Sequence, residues 1–132
     1  MQVAIIGLGL IGGSIGLALK QADEQEYVVG YVRRPEVASA ALKLRAVDRV
    51  ETSLKDTVKG AEIVVIATPV LTIKAILSQI ADHLSHGCIV TDTASTKFQV
   101  MKWAEDLLPP TVDFVGGHPM AGKETYGIQA AE

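Results

Sequence analysis

The segment 116–124, "GGHPMAGKE", sets one histidine, His118, among glycine, proline and alanine. Small residues let a ligand approach the backbone closely, and within such a loop the imidazole is the tunable proton acceptor near neutral pH. A neutral imidazole there would take the proton of a hydroxyl group as hydride leaves the adjoining carbon. A histidine that merely caps a turn is the plainer alternative, but it leaves Gly116, Gly117 and Gly122 without a purpose. No second histidine or cysteine stands at ligand spacing from His118, so no metal site is expected.

Hydride chemistry needs a carrier, and the N-terminus has the loop that holds one. "GLGLIGGSIG" places Gly7, Gly9 and Gly12 in dinucleotide spacing, with Leu8, Leu10 and Ile11 between them as further cofactor-binding positions. The three glycines serve separate ends, namely a tight turn, room for the pyrophosphate, and close packing of a helix on a strand. The helix that follows offers unsatisfied amides and the positive end of its dipole to the phosphates. Gly16, further on, reads as a helix packing contact.

In such loops an acid at the end of the second strand accepts the ribose hydroxyls. Here that place is Val32, followed by Arg33 and Arg34. Guanidinium groups bind a 2′-phosphate that a carboxylate would repel, so the expected cofactor is NADP, with NAD possible. Two arginines before a helix are equally what a solvated surface pair looks like. Thr68 and Pro69 end the fourth strand where the nicotinamide is expected, and a plain strand-to-helix turn has the same appearance. "TDTASTK" ends the fifth strand; Ser95 also fits a helix cap and Asp92 a turn former. Cys88 reads as a small core residue, and His83 and His86 as exposed groups flanking a helix end.

These residues need a scaffold that brings strand ends together. Apolar runs at Val3–Ile6, Tyr27–Val32, Glu62–Ile66, Cys88–Thr91 and Phe114–Val115, with a weak stretch around Val50, alternate with helical segments. Those segments begin at Ser14, at Pro35 ("PEVASAALKLRA"), at Ser53 ("SLKDTVKG", with Gly60 as its stop), at Val70 ("VLTIKAILSQIADHL") and at Thr96. Strands apolar on both faces and separated by helices predict an α/β fold of Rossmann type, a doubly wound, mostly parallel sheet with helices on both faces. The 132 residues fit one dinucleotide-binding domain. The net charge of −3, with scattered basic residues, argues against nucleic acid and leaves a small-molecule substrate as the expected partner. No apolar run approaches the roughly 20 residues needed to span a bilayer, so no membrane partner is expected. One unpaired cysteine and no leader before Gln2 predict a cytoplasmic protein.

Taken together, "GLGLIGGS", "ATPV", "TDTASTK" and above all "GGHPMAGKE", in this order and spacing, resemble the prephenate and arogenate dehydrogenases of tyrosine biosynthesis. The resemblance runs over essentially the whole chain. It implies oxidative decarboxylation of a cyclohexadienol, with hydride passing to the nicotinamide and carbon dioxide leaving the opposite ring carbon. It also implies site roles. His118 would bond the ring hydroxyl and take its proton, Ser95 would orient hydroxyl and histidine, and Glu124 would order water near the substrate. Lys123 departs from the small residue usual there, and Val32 from the acid of NAD-using members. Members of the family carry a further, mostly helical domain that pairs two subunits as a homodimer and reads the substrate's side-chain carboxylate. No such segment occurs within residues 1–132, so the resemblance implies an isolated cofactor domain that binds dinucleotide and turns over little. Two rival readings stand beside this one. A β-hydroxyacid dehydrogenase shares the loop and the "ATP" turn, but would carry a serine-glycine-glycine substrate loop. A nucleotide-binding sensor or interaction module would bind cofactor without turnover.

Overall fold

The computed structural model describes residues 1–23, 25–94 and 97–116. Ser95, His118 and Glu124, the three expected catalytic residues, lie outside them, as do Lys123 and the expected helix start at Thr96. The chain runs β1 (Gln2–Ile6), α1 (Leu10–Ala22), β2 (Tyr27–Tyr31), α2 (Pro35–Lys43), β3 (Arg49–Glu51), α3 (Leu54–Val58), β4 (Ile63–Ile66), α4 (Val70–Ile80), a 3-10 turn (Ala81–His83), β5 (Ile89–Asp92), α5 (Lys97–Leu107) and β6 (Asp113–Val115). Among the described residues no helix is long and apolar enough to cross a membrane.

All six strands pair in parallel, in the order β3-β2-β1-β4-β5-β6. The expected fold class therefore holds, and the weak stretch around Val50 is an edge strand paired with β2. Side-chain alternation along β1 divides the core into two layers. Ala4 and Ile6 join Val64, Ile66 and Val90 beneath Ile73, Ile76 and Leu77 of α4 and Val100 and Ala104 of α5. Val3 and Ile5 face the other way, with Val28 and Val65, toward α1 and α2. Because both faces of the strands are covered, they read as continuous apolar runs rather than as alternation.

Three helix boundaries differ by three residues or more from the sequence expectation. Helix α1 begins at Leu10, not Ser14, although Gly12 and Gly13 are poor helix formers; packing against the loop outweighs their propensity. Helix α2 stops at Lys43, not Ala46, because Arg45 adopts φ 61° and two bonds close the end, Arg45 N–H to the Leu42 carbonyl and Ala46 N–H to the Ala41 carbonyl. That is a Schellman arrangement with arginine where glycine is usual. It sets Ala46 directly against Gly16, where any Cβ would strike the Ala46 carbonyl oxygen, so Gly16 is the packing contact expected. The helix from Val70 ends at Ile80 and tightens into the 3-10 turn rather than running on to Leu84.

Candidate functional site

The strand order reverses between β1 and β4, so the connections leaving their carboxyl ends diverge and open a crevice between them. Gly7 forms one lip. It turns the chain at φ 99°, donates its N–H to the Tyr31 carbonyl at 3.2 Å, and lies so close to the turn after β4 that a Cβ would come 2.7 Å from the Ala67 oxygen and 2.8 Å from Thr68 Cγ2. Only glycine fits there, on both conformational and steric grounds.

Gly9 and Gly12 differ from Gly7 and from each other. Gly9 is extended (φ −72°, ψ −158°), and a Cβ on it would meet nothing within 4 Å, so it borders open space. A Cβ on Gly12 would overlap the Gly7 carbonyl oxygen and lie 3.3 Å from Ile5 Cγ2, which makes Gly12 the point where α1 presses on the loop. The first helical bond, Gly13 N–H to the Gly9 carbonyl, is 2.8 Å, and no side chain caps the helix. The amides of Leu10, Ile11 and Gly12 therefore lack intrahelical acceptors. With no acidic residue in the first turn, this end is suited to an anion.

The side chains between the glycines play different parts. Leu8 is buried, and its Cδ1 fills the space above Gly30, where a Cβ would come within 2.6 Å; its contribution to ligand contact is confined to its backbone. Ile11 is half exposed beside the loop.

At the far end of the crevice β2 stops at Tyr31, and Val32 continues its ladder through an N–H bond to the Glu51 carbonyl at 3.3 Å. Arg33 and Arg34 then emerge exposed, and neither guanidinium has a hydrogen bond or ion pair with a described residue. Arg34 closes the start of α2 with its carbonyl, which accepts from Val37 and Ala38 N–H. The neighbouring acid at the end of β3, Glu51, is ion-paired with Arg49 at 2.8 Å; Glu36 in the first turn of α2 is exposed.

On the β4 side Thr68 is half-buried and Pro69 exposed. Thr72, which sequence reasoning missed, stands one turn into α4 with its hydroxyl oxygen 2.8 Å from Thr68 Oγ1 and 2.7 Å from the Pro69 carbonyl. Its signal was a threonine four residues after another across a helix start. Asp92 is buried, and Oδ2 accepts from Ala94 N–H at 3.0 Å, so it is the turn former that its position suggested. This turn ends β5 just before Ser95. β6 delivers the chain to Gly116, two residues before His118, on the same sheet edge as Gly7. Since β6 lies three strands from β1, that delivery point is about 14 Å away at ~4.8 Å per strand.

Cys88 sits at the opposite edge, ahead of β5, and burial pushes its thiol up. His83 and His86 are exposed at that same far edge.

Comparison with known proteins fits this geometry. A family model, prephenate dehydrogenase, nucleotide-binding domain, matches residues 15–132. The prephenate dehydrogenase of Bacillus subtilis (strain 168) is 42% identical over 131 residues, covering 98% of this chain and 35% of that protein. The crystal structure of prephenate dehydrogenase from Aquifex aeolicus in complex with hydroxyphenyl propionate and NAD+ superimposes with a TM-score of 0.81 at 32% identity, over 93% of this chain and 43% of that one. Synechocystis arogenate dehydrogenase gives a TM-score of 0.80 at 32% identity, over 89% and 40% of the two chains. The chain thus spans well under half the length of each.

Proposed function

The chain belongs to the prephenate dehydrogenase family, matching its nucleotide-binding domain, and from that premise we propose that it binds NADP in preference to NAD as the cofactor half of an enzyme acting on prephenate or arogenate. The observation that carries the cofactor reading is the loop itself. At the uncapped start of α1 the amides of the first turn have no intrahelical acceptor, and a Cβ on the adjoining Gly9 would meet nothing within 4 Å, which suits this end to a pyrophosphate. Arg33 and Arg34, exposed at the end of β2 and without a partner among the described residues, supply the preference for a 2′-phosphate.

When bound, the nicotinamide would accept hydride from the ring carbon that bears the hydroxyl. His118 takes the proton released from that hydroxyl, so the carbon becomes a carbonyl. Electrons of the bond to the departing carboxylate pass into the ring, carbon dioxide leaves, and the ring becomes a phenol. Ser95 orients the hydroxyl against His118, and Glu124 orders water beside them. The contacts that read the substrate's carboxylates, and the pairing of two subunits, we assign to chain beyond this domain, in line with the 35% of the Bacillus subtilis relative that it spans. By itself this domain would supply one wall of the pocket, leaving the ring in water and forfeiting the gain from positioned reactants.

Calorimetric titration with NADP and NAD, followed by turnover assays with prephenate and arogenate, tests the reading. NADP is expected to bind more tightly. The difference should shrink with salt and in the Arg33→Ala, Arg34→Ala double variant. Equal affinities in the unsubstituted chain would refute the preference, and no binding of either nucleotide would refute the cofactor reading. Turnover is expected to be barely detectable; about 10 per second, an ordinary enzyme's rate, would show that nothing beyond this domain is needed.

A further inference from the structure

Gly30 lies in the middle of β2, paired with Ile5 of β1, and its backbone has no positive φ that would call for glycine. A glycine there weakens the strand, and what it provides instead is space. A Cβ at this position would come 2.6 Å from Leu8 Cδ1, 3.2 Å from Leu8 Cδ2 and 3.0 Å from Val47 Cγ1. Because both terminal carbons of Leu8 lie over Gly30, turning the end of that side chain exchanges one methyl for the other and relieves nothing. Leu8 and Val47 also belong to one buried cluster with Val3, Ile5 and Val28, which closes the way sideways. The neighbouring residues are joined as well, Gly7 donating its N–H to the Tyr31 carbonyl at 3.2 Å. Two successive residues of β2 therefore hold two successive residues of the phosphate loop, Tyr31 by a hydrogen bond and Gly30 by its missing side chain.

We propose that Gly30 is a positioning residue for the cofactor, seating Leu8 in the space on β2 and so fixing where the phosphate loop stands. The inference rests on the dinucleotide reading above and adds to it a residue outside the glycine motif that acts only through Leu8. A side chain at position 30 pushes on Leu8, whose chain neighbours on both sides are glycines, so the loop backbone yields before the packed strand does. The amides at the start of α1, next along the chain, shift with it. NADP and NAD carry the same pyrophosphate, so both lose affinity by the same factor, and the preference assigned to Arg33 and Arg34 is untouched.

The test is calorimetric titration with NADP and with NAD of the unsubstituted chain, Gly30→Ala, Leu8→Val and the double variant, with urea unfolding measured alongside. Loss of one hydrogen bond to a charged group corresponds to about a ten- to hundredfold change in affinity, and Gly30→Ala is expected to weaken both nucleotides by about tenfold. The double variant moves one methyl from the loop to the strand and conserves the packed volume, so it is expected to bind both nucleotides as tightly as the unsubstituted chain. Gly30→Ala with unchanged affinities, whatever its urea midpoint, overturns the inference while the dinucleotide reading stands. A double variant that binds no better than Gly30→Ala, or a loss confined to NADP, overturns it as well. Should Gly30→Ala fail to fold, the double variant is compared with Leu8→Val: tighter binding by the double variant supports the seat, and equal or weaker binding overturns it. No binding of either nucleotide by the unsubstituted chain overturns both readings.

Discussion

Replacing the loop glycines one at a time with alanine separates their roles, and Gly12 offers the sharpest case. In a helix, alanine is better than glycine by ~1 kcal/mol, so propensity alone predicts that Gly12→Ala stabilises. The structure predicts the reverse. The new Cβ would lie well inside 3.0 Å of the Gly7 carbonyl oxygen, and that atom is backbone, held by the 3.2 Å bond from Gly7 N–H to Tyr31 and by contact with Ala67 and Thr68. Overpacking costs typically 1–3 kcal/mol, and an immovable partner puts this site at ~3. Net destabilisation is therefore about 2 kcal/mol, with loss of dinucleotide affinity because the displaced part is the phosphate loop. Gly13 is the internal control, since its nearest atom, the Leu8 oxygen, is 4.0 Å away. Gly13→Ala should stabilise by ~0.5–1 kcal/mol. Gly9→Ala should leave stability nearly unchanged, because nothing lies within 4 Å and its φ of −72° suits alanine, yet it should weaken dinucleotide binding by filling the space meant for the pyrophosphate. Urea unfolding and calorimetric titration read the two quantities separately. A Gly12→Ala protein at least as stable as the unsubstituted chain, with unchanged affinity, would refute the packing argument.

Three further outcomes are expected. In a form competent for turnover, His118→Ala should slow the chemical step by roughly two to four orders of magnitude with little change in nucleotide affinity, and Ser95→Ala should cost less; single-turnover kinetics decide, and an unchanged rate for His118→Ala removes it from the mechanism. Lys20 Nζ reaches both Asp48 oxygens at 2.9 Å and the Glu26 carbonyl at 2.7 Å, while Asp48 Oδ2 accepts from Val28 N–H at 2.8 Å. Asp48→Ala should lower unfolding free energy by about 2 kcal/mol, and Asp48→Asn by less because it keeps an acceptor for Val28; a loss below ~0.5 kcal/mol would contradict the assigned role. Cys88 should resist a thiol reagent until urea unfolds the chain. Its raised thiol also sets a pH trend: the unfolded thiol titrates at its ordinary value and the folded one higher, so unfolding releases a proton in that range. Stability should hold through neutral pH and fall as pH rises above the ordinary thiol value, and a Cys88→Ser variant with the same decline would show that another group is responsible.

Much of this protein is legible along the chain because the informative contacts are local. Gly7, Gly9 and Gly12 lie within one turn of loop and helix, so their spacing predicts a phosphate cradle before any partner is placed. The apolar runs of β1, β4 and β5 announce strands covered on both faces, and Val32-Arg33-Arg34 marks the end of β2 in the same local way. Several features that sequence reasoning missed depend on residues far apart in the chain, and others on a local backbone conformation that composition does not announce. That only glycine suits position 7 follows from Ala67 and Thr68, some sixty residues on, pressing against it. The start of α1 at Leu10 overrides two glycines because Gly12 packs on the loop, and the end of α2 at Lys43 is set by Arg45 in a left-handed conformation that composition alone does not favour. Leu8 has the spacing of a ligand position, yet Gly30, on the neighbouring strand, is the socket for its side chain. Local spacing determined which elements form and what chemistry they offer; parallel pairing, which brings the ends of β1 and β4 side by side, decided which of those residues meet.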